Sequence, residues 1–228
     1  MRDLLVKIAL RLGIYQQLVE YINRLKFEVQ ARRMRRNGLQ MLAAAQEALD
    51  NMHVCAFLTY GALLGAYRDK GFISYDPDID LGIPAHEIPA DLHEQMARAG
   101  FKLYKQGILA NGQVFEETYI YNKLHLDIFY YFQKDNDYYS IIARKHETKE
   151  WKEANATDGF PCDRSYVPVC NFEKRDFLGI QVYMPTDTDG WLRAIYSDSY
   201  MTPIKNWNAK DYKTRIVHTT ERSYRKFF

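Results

Sequence analysis

Apolar residues recur with a helical period at the start of the chain. Over residues 3–35 they follow one another at intervals of three or four, with basic side chains on the opposite side, which predicts one or two helices. Gly38 is expected to interrupt the pattern, and a second helix is predicted from Leu39 to about Met52. The apolar stripe consists of Leu4, Leu5, Ile8, Leu12, Ile14, Leu18, Tyr21, Ile22 and Leu25.

Shorter apolar runs follow, and they switch between the period of a strand and that of a helix. Strands are predicted at 54–60, 79–83, 101–106, 113–121, 123–132 and 177–185, with a hairpin turn at 134–137 that leads into the run "YYSIIAR" (138–144). Helices are predicted at 62–68, from Pro89 to about Ala99, and at 187–196 with Asp187 as the cap. Residues 145–175 are predicted to be irregular. The pattern indicates an α/β fold (α+β, with a mixed sheet) over residues 38–228, preceded by a helical extension over residues 1–37.

Charge is distributed unevenly along the chain. The 228 residues carry a net charge of +2, too small for a dedicated nucleic-acid-binding protein, and 47% of them are hydrophobic, enough for one large core. Residues 1–36 hold nine Lys or Arg against three Asp or Glu, so this segment is +6 and the rest is −4. The extension is thus suited to peripheral contact with an anionic membrane. Packing against the domain, or against a second copy in a homo-oligomer, is the alternative.

Cellular location follows from two further features. No apolar run approaches the roughly 18 residues of a membrane span, and Lys7 and Arg11 interrupt the only candidate signal-peptide core. The three cysteines, Cys55, Cys162 and Cys170, form neither a disulfide framework nor a zinc-binding pattern. We expect a cytoplasmic protein, with any membrane contact at the inner face of the cytoplasmic membrane.

Three aspartates lie two residues apart in "GFISYDPDIDLGIP" (71–84). On a strand, Asp78 and Asp80 project to one side and Ile79 to the other. Paired carboxylates are typical ligands of Mg²⁺ that also carries substrate phosphates. A calcium loop is disfavoured because Leu81 stands where its sharp turn needs glycine, and a solvated acidic turn is the remaining alternative.

A further carboxylate and a glycine turn complete the candidate site. In "KLHLDIFYYF" alternation places Asp127 and His125 on the face opposite Leu126 and Ile128. In "LTYGALLGAYR" a strand ends at Gly61 and a helix begins, a junction that offers backbone N–H groups to a phosphate, and Arg68 can bind a diphosphate in a bidentate manner.

These stretches resemble the LicD/fukutin family of the nucleotidyltransferase superfamily. "YGALLGAYRDKGFISYDPDIDLGIP" is similar to its commonest block, YGTLLGxxRxxGFIPWDxDIDxG, and "HLDIF" to its third-aspartate strand. "FLGIQVYMPTDTDGWLRAIYSDSYMTP" resembles its C-terminal strand and helix. Departures such as Ala62 for the usual Thr or Ser, and Tyr75 for the usual Trp, affect the shape of the donor and acceptor sites.

The resemblance implies transfer of phosphocholine, ribitol phosphate or glycerol phosphate from a CDP-linked donor to a sugar hydroxyl of a cell-surface glycan, such as a capsule or cell-wall polymer, free or lipid-linked. It implies Mg²⁺ or Mn²⁺ as the cofactor. The metal and catalytic residues it implies are Asp78, Asp80 and Asp127, and the substrate-binding residues it implies are Gly61 and Arg68. Lys70, Tyr75 and His125 are further candidates for substrate binding, and a structural hydrogen-bonding role is the alternative for His125. Two alternatives remain: a nucleotidylyltransferase with the same three aspartates, and a binding or scaffold protein on a degenerate version of the fold.

Overall fold

Five α-helices and ten strands make up the part of the chain that the computed structural model describes, namely residue 11, residues 14–204 and residues 215–228. The helices are α1 (Tyr15–Asn51), α2 (Tyr60–Leu64), α3 (Leu92–Arg98), α4 (Trp151–Ala156) and α5 (Thr188–Tyr196). A π-helical turn (Gly65–Asp69) extends α2, and a 3₁₀ turn (Ala85–Glu87) follows the second strand. The strands are β1 (Phe57–Leu58), β2 (Asp78–Pro84), β3 (Lys102–Leu109), β4 (Val114–Tyr121), β5 (Leu124–Lys134), β6 (Asp137–Ala143), β7 (Phe160–Pro168), β8 (Phe172–Phe177), β9 (Ile180–Pro185) and β10 (Ile216–Phe227).

All ten described strands belong to one mixed sheet, which confirms the predicted α/β class. Their order is β4-β3-β10-β7-β6-β5-β2-β1-β9-β8, and β4 also pairs with β5, so that six strands close into an antiparallel ring. Outside the ring, β2 runs parallel to β5 and antiparallel to β1. The parallel contact between β2 and β5 brings two distant acidic stretches side by side.

The hydrophobic core explains why these elements pack together. Trp191 of α5 is fully buried, with its ring 5.4 Å from Phe57 and 5.5 Å from Tyr131. Burial alternates over residues 78–81 of β2 and 124–130 of β5, as predicted, with Ile79 and Leu126 inside and the aspartates beside them only partly covered. A smaller cluster lies among the ring strands and consists of Leu109, Phe115, Ile141 and Cys162.

The predicted interruption of the first helix at Gly38 is wrong. Helix α1 runs for 37 residues through this glycine, which is buried against its own helix and the loop that follows α2. A Cβ at this position would lie 2.3 Å from Cε of Met34 and 3.5 Å from the ring of Phe72. Close packing, rather than a turn, accounts for the glycine. The helix crosses the predicted boundary between residues 37 and 38, and that domain division stays a prediction.

Two predictions in the second half are also wrong. Residues 145–175 are not irregular, because they contain α4, β7 and most of β8. Strand β7 forms by pairing with β6 and with β10, which was not recognised as a strand. Strand β8 is mostly polar and exposed, and it pairs with β9 across a two-residue turn. The run predicted as one strand at 177–185 is a hairpin, and its turn consists of Leu178 and Gly179, both with positive φ. The aromatic and basic tail, for which no element was predicted, forms β10.

Part of the predicted amphipathic stripe lies outside the described residues, namely Leu4, Leu5, Ile8 and Leu12. The described part, from Ile14 to Leu25, is exposed to solvent and does not pack on the domain. None of the described helices combines the length and the apolar character needed to cross a membrane.

Candidate active site

The three predicted carboxylates lie on neighbouring strands. In the parallel register of β2 and β5, Asp80 is directly opposite Asp127, and Asp78 is opposite His125. Their flanking residues, Ile79 and Leu126 among them, are fully buried on the other face of the sheet. Pairing of strands that are distant in sequence therefore brings Asp78, Asp80 and Asp127 together, as the period-two patterns predict.

The glycine turn packs against this cluster. Between β1 and α2 the backbone N–H of Thr59 donates to the carbonyl of Asp80 (3.1 Å), and Tyr60 adopts a positive φ of 43°. A Cβ on Gly61 would lie 2.2 Å from Oδ2 of Asp76. The absence of a side chain at Gly61 thus makes room for the Asp76 carboxylate. Asp76, which the sequence places in a turn before β2, therefore lies next to the other carboxylates of the site. Strain of the kind seen at Tyr60 is common at functional sites.

A cavity of about 280 Å³ opens beside the carboxylates. Five of the predicted residues line it: Gly61, Arg68, Tyr75, Asp78 and Asp80. Asp76 lines it as well, and the opposite wall comes from α5 and the segment that follows, with Tyr196, Ser199, Tyr200 and Thr202. The motif of residues 60–84 and the segment of residues 188–204 thus line one cavity. The first contributes carboxylates and the second contributes the aromatic rings of Tyr196 and Tyr200.

Arg68 links these two walls. Its guanidinium donates to both oxygens of Asp69 (2.7 and 2.9 Å) and to the backbone carbonyl of Tyr200 (3.3 Å). Tyr200 is in turn anchored by its hydroxyl, which donates to Asp189 (2.5 Å). The ion pair with Asp69 raises the pKa of Arg68, so this side chain keeps its positive charge at the edge of the cavity.

Two predicted substrate-binding residues do not line the cavity. Lys70 is exposed, and its ammonium lies 5.3 Å from the ring of Tyr67. His125 is half-buried, with its ring 6.0 Å from that of Tyr104, and burial lowers its pKa. Asp127 does not line the cavity either, but it adjoins Asp80, which does.

The electrostatics of the cluster are unfavourable for four ionised carboxylates. Burial raises the pKa values of Asp76, Asp78, Asp80 and Asp127, and the charges of their neighbours raise those of the last three further. Charges so close together in a region of low dielectric repel strongly. A cation would relieve that repulsion.

Sequence reasoning missed a charged pair next to the cluster. The ammonium of Lys105 on β3 lies 2.8 Å from Oε1 of Glu116 on β4, and both side chains are largely buried. The charge of Glu116 raises the pKa of Asp127, whereas that of Lys105 lowers the pKa values of Asp127 and Asp78. The sequence feature that points to this pair is the two-residue alternation of β4. It puts Glu116 on the same face as Thr118, which lies opposite Asp127. It becomes visible only once β4 is paired with β5.

The donor set suits a hard divalent cation. Oδ1 of Asp127 is buried and has no hydrogen-bond partner in the described part of the chain. A buried, unpaired carboxylate oxygen is costly unless something positive contacts it. Among the residues described, no three carboxylate, histidine or cysteine side chains converge on one ion position. Asp78, Asp80 and Asp127 are the residues that would hold Mg²⁺ or Mn²⁺.

Comparison with known proteins gives one family and several relatives. Residues 53–187, more than half of the chain, match the family model described as LicD/FKTN/FKRP, nucleotidyltransferase domain. The chain is 26% identical over 182 residues to the Mus musculus protein named ribitol-5-phosphate transferase FKTN, and 24% identical over 185 residues to the Homo sapiens protein of that name. Each match covers 80% of this chain and 37% of the relative, so the chain spans little more than a third of their length. It is also 29% identical over 161 residues to the uncharacterized protein RP689 of Rickettsia prowazekii, covering 70% of this chain and 53% of that protein.

Proposed function

The chain belongs to the LicD/FKTN/FKRP nucleotidyltransferase-domain family, and from this premise we propose that it transfers a ribitol phosphate group from a CDP-linked donor to a sugar hydroxyl of a glycan. Ribitol phosphate is favoured over glycerol phosphate and phosphocholine because the mammalian relatives are named ribitol-5-phosphate transferases. The observation that carries the proposal is the parallel pairing of β2 with β5, which sets Asp127 opposite Asp80, a residue that lines the cavity.

The proposed reaction breaks one phosphoanhydride bond. The acceptor hydroxyl oxygen bonds to the phosphorus that bears the ribitol, the bond from that phosphorus to the bridging oxygen breaks, and CMP leaves. The hydroxyl proton passes to a carboxylate of the cluster. Mg²⁺ or Mn²⁺ held by Asp78, Asp80 and Asp127 would neutralise the charge that develops on the leaving CMP.

Other residues of the cavity position the donor. Arg68 lines the cavity, where its positive charge would add electrostatic stabilisation to a bound diphosphate, while its Nε and Nη2 contact Asp69. Tyr75, which is half-exposed, and the buried Tyr200 offer ring surfaces on which the cytosine or the ribitol chain can pack. The preference for cytidine itself rests on the family and not on a residue that reads the base.

The proposal is tested by identifying both products of the reaction. Purified full-length chain is incubated with Mg²⁺, a glycan acceptor and CDP-ribitol, and parallel reactions contain CDP-glycerol or CDP-choline. We expect release of CMP and an acceptor whose mass grows by one ribitol phosphate. Release of ribitol 5-phosphate with a CMP-modified acceptor would establish the nucleotidylyltransferase alternative.

A matched pair of variants shows whether the activity belongs to this site. Asp80→Asn keeps the shape of the side chain and removes a charge, and it should abolish product formation. Asp91→Asn makes the same change at an exposed position before α3 and should leave the rate unchanged. If wild-type protein transfers nothing from any donor, but still binds CDP, the scaffold alternative is correct.

A further inference from the structure

The first half of α1 carries an exposed apolar seam. Its residues are spaced three and four apart, which is the heptad spacing of a coiled coil. Each is between 37% and 46% exposed, although the chain has a core large enough to bury such side chains. The seam consists of Tyr15, Leu18, Ile22, Leu25 and Val29.

The seam faces away from the domain to which the helix is attached. Ala31 and Met34, which are buried against the domain, each lie nine residues after a seam residue, Ile22 and Leu25 respectively. Nine residues at about 3.6 per turn are two and a half turns, so the two faces lie on opposite sides of the helix. The domain below α1 therefore cannot cover the seam without a break in the helix, and the helix is continuous from Tyr15 to Asn51.

The residue types within the seam favour a particular partner. Numbered as a heptad, Ile22 and Val29 occupy a positions, and Leu18 and Leu25 occupy d positions. β-Branched residues at a with leucine at d are the combination that favours parallel two-stranded coiled coils. An amphipathic helix bound to a membrane needs no such distinction between alternate positions.

The flanking positions agree with this arrangement. In a parallel pair, a g residue of one helix faces the e residue five positions later on the other. Glu28 would thus face Arg33 of a second copy, an attractive pair, and Ile14 would face Val19, an apolar pair. The next d position is Arg32, where two like charges would meet. The seam therefore ends just where each helix begins to pack on its own domain at Ala31.

We propose that residues 15–29 form a parallel, in-register two-stranded coiled coil with the same segment of a second copy of this chain. The two domains then lie on the outer sides of the pair and at the same end of it. Toward the N-terminus the next d position is Arg11, so the seam begins at Tyr15; Ile8 and Leu4 occupy the a and d positions before it, and both lie outside the described residues.

Sedimentation of the full-length chain tests the association. We expect wild-type protein at micromolar concentration to sediment with twice the 26.9 kDa mass of one chain, in high as well as low salt. Leu25→Glu should weaken association about 100-fold or more, because it places two carboxylates in one core layer. Phe27→Glu is the matched control: Phe27 is 47% exposed but occupies an f position, so that the dimer should persist. Circular dichroism and the melting temperature show whether each variant is folded.

Cross-linking tests the orientation independently of stability. Tyr15→Cys and Val29→Cys, each made alone, should give disulfide-linked dimers upon mild oxidation, because both are a positions of a parallel pair. Wild-type protein, which has three cysteines of its own, is the control and should not cross-link. Wild-type protein that is monomeric overturns the proposal, and flotation of that monomer with phosphatidylserine vesicles at low salt would assign the seam to a membrane surface instead. A dimer that persists in Leu25→Glu also overturns the proposal. Cross-linking that occurs only when Tyr15→Cys and Val29→Cys are mixed overturns it as well, because it indicates an antiparallel pair.

Discussion

At the scale of single residues, the clustered carboxylates lie in positions that are poor for stability and that, under the proposed function, bind a cation. Asp76, Asp78 and Asp80 follow one another on the loop and strand that enter the cavity, and Asp127 adjoins them from β5. Each substitution that removes one of these charges should therefore have opposite effects on activity and on stability. Trade-offs of this kind are common where a site needs strained or repelling groups.

We expect Asp78→Asn, Asp80→Asn and Asp127→Asn each to lower the rate of phosphate transfer by about 1,000-fold or more, the scale of deleting a key electrostatic group. Asparagine keeps the shape of the side chain but cannot supply the charge that binds the cation. Asp76→Asn should be milder, since this residue contacts Gly61 rather than β5. The measurement is the initial rate of CMP release at saturating donor. Turnover by Asp127→Asn close to that of wild type would remove Asp127 from the catalytic set.

The same charges predict an unusual dependence of stability on pH. Folding raises the pKa of Asp76 from near 3.8 to about 6, and those of Asp78 and Asp127 to about 7. Between the unfolded and folded values the folded chain binds more protons, so the free energy of unfolding decreases as the pH rises. In chelator, the melting temperature should fall by at least about 5 °C from pH 5 to pH 8, at roughly 1.4 kcal/mol per pKa unit. Asp80→Asn should reduce this fall, whereas an equal fall in both proteins would contradict the proposed repulsion.

At the scale of elements, the β1–α2 junction holds one member of the cluster in place. We expect Gly61→Ala to fold normally, because only the end of the Asp76 side chain is in the way of a new Cβ, and a side chain can rotate. The displaced carboxylate should cost at least about 10-fold in kcat/KM, since small misplacements in an active site are expensive. Gly71→Ala, in the same motif, is the control: its nearest contact would be 3.9 Å away, so activity should stay within about twofold. Equal activities of the two variants would show that Asp76 does not matter.

Elements were predictable where the hydrophobic period was local and strong. Helix α5 and its cap Asp187, whose side chain accepts from the N–H of Gly190 at 3.0 Å, follow from the sequence alone. Strands β7 and β10 do not, because they pair with strands distant in sequence, and β8 does not, because it is a mostly polar and exposed strand without an apolar alternation. The same reason explains the site: Asp78 and Asp80 are recognisable from spacing, whereas Lys105 and Glu116 become visible only through the pairing of β3 with β4 and of β4 with β5.

At the scale of the whole molecule, the cavity is built from segments that only the complete fold brings together. Its floor comes from the motif around β2, and its far wall comes from the segment after α5, joined to the floor by the contact of Arg68 with Tyr200. A ligand that fills this cavity should therefore stabilise the folded chain as a whole. Binding to the folded state alone raises the free energy of unfolding in proportion to the logarithm of ligand concentration.

The last prediction uses that linkage to test the metal and the nucleotide together. In a thermal-unfolding scan, CDP with Mg²⁺ at about 100 times its dissociation constant should add roughly 2.7 kcal/mol, which for a chain of this size is a shift of roughly 5–10 °C. The same nucleotide with chelator should give little, because its diphosphate would then meet the unscreened charges of Asp78 and Asp80 at the cavity. Asp80→Asn is the matched protein control and should lose most of the shift with Mg²⁺. Equal shifts with ADP, GDP and UDP would refute the cytidine preference but not the metal site. An unchanged melting temperature with every nucleotide and metal would refute both the cytidine preference and the metal site.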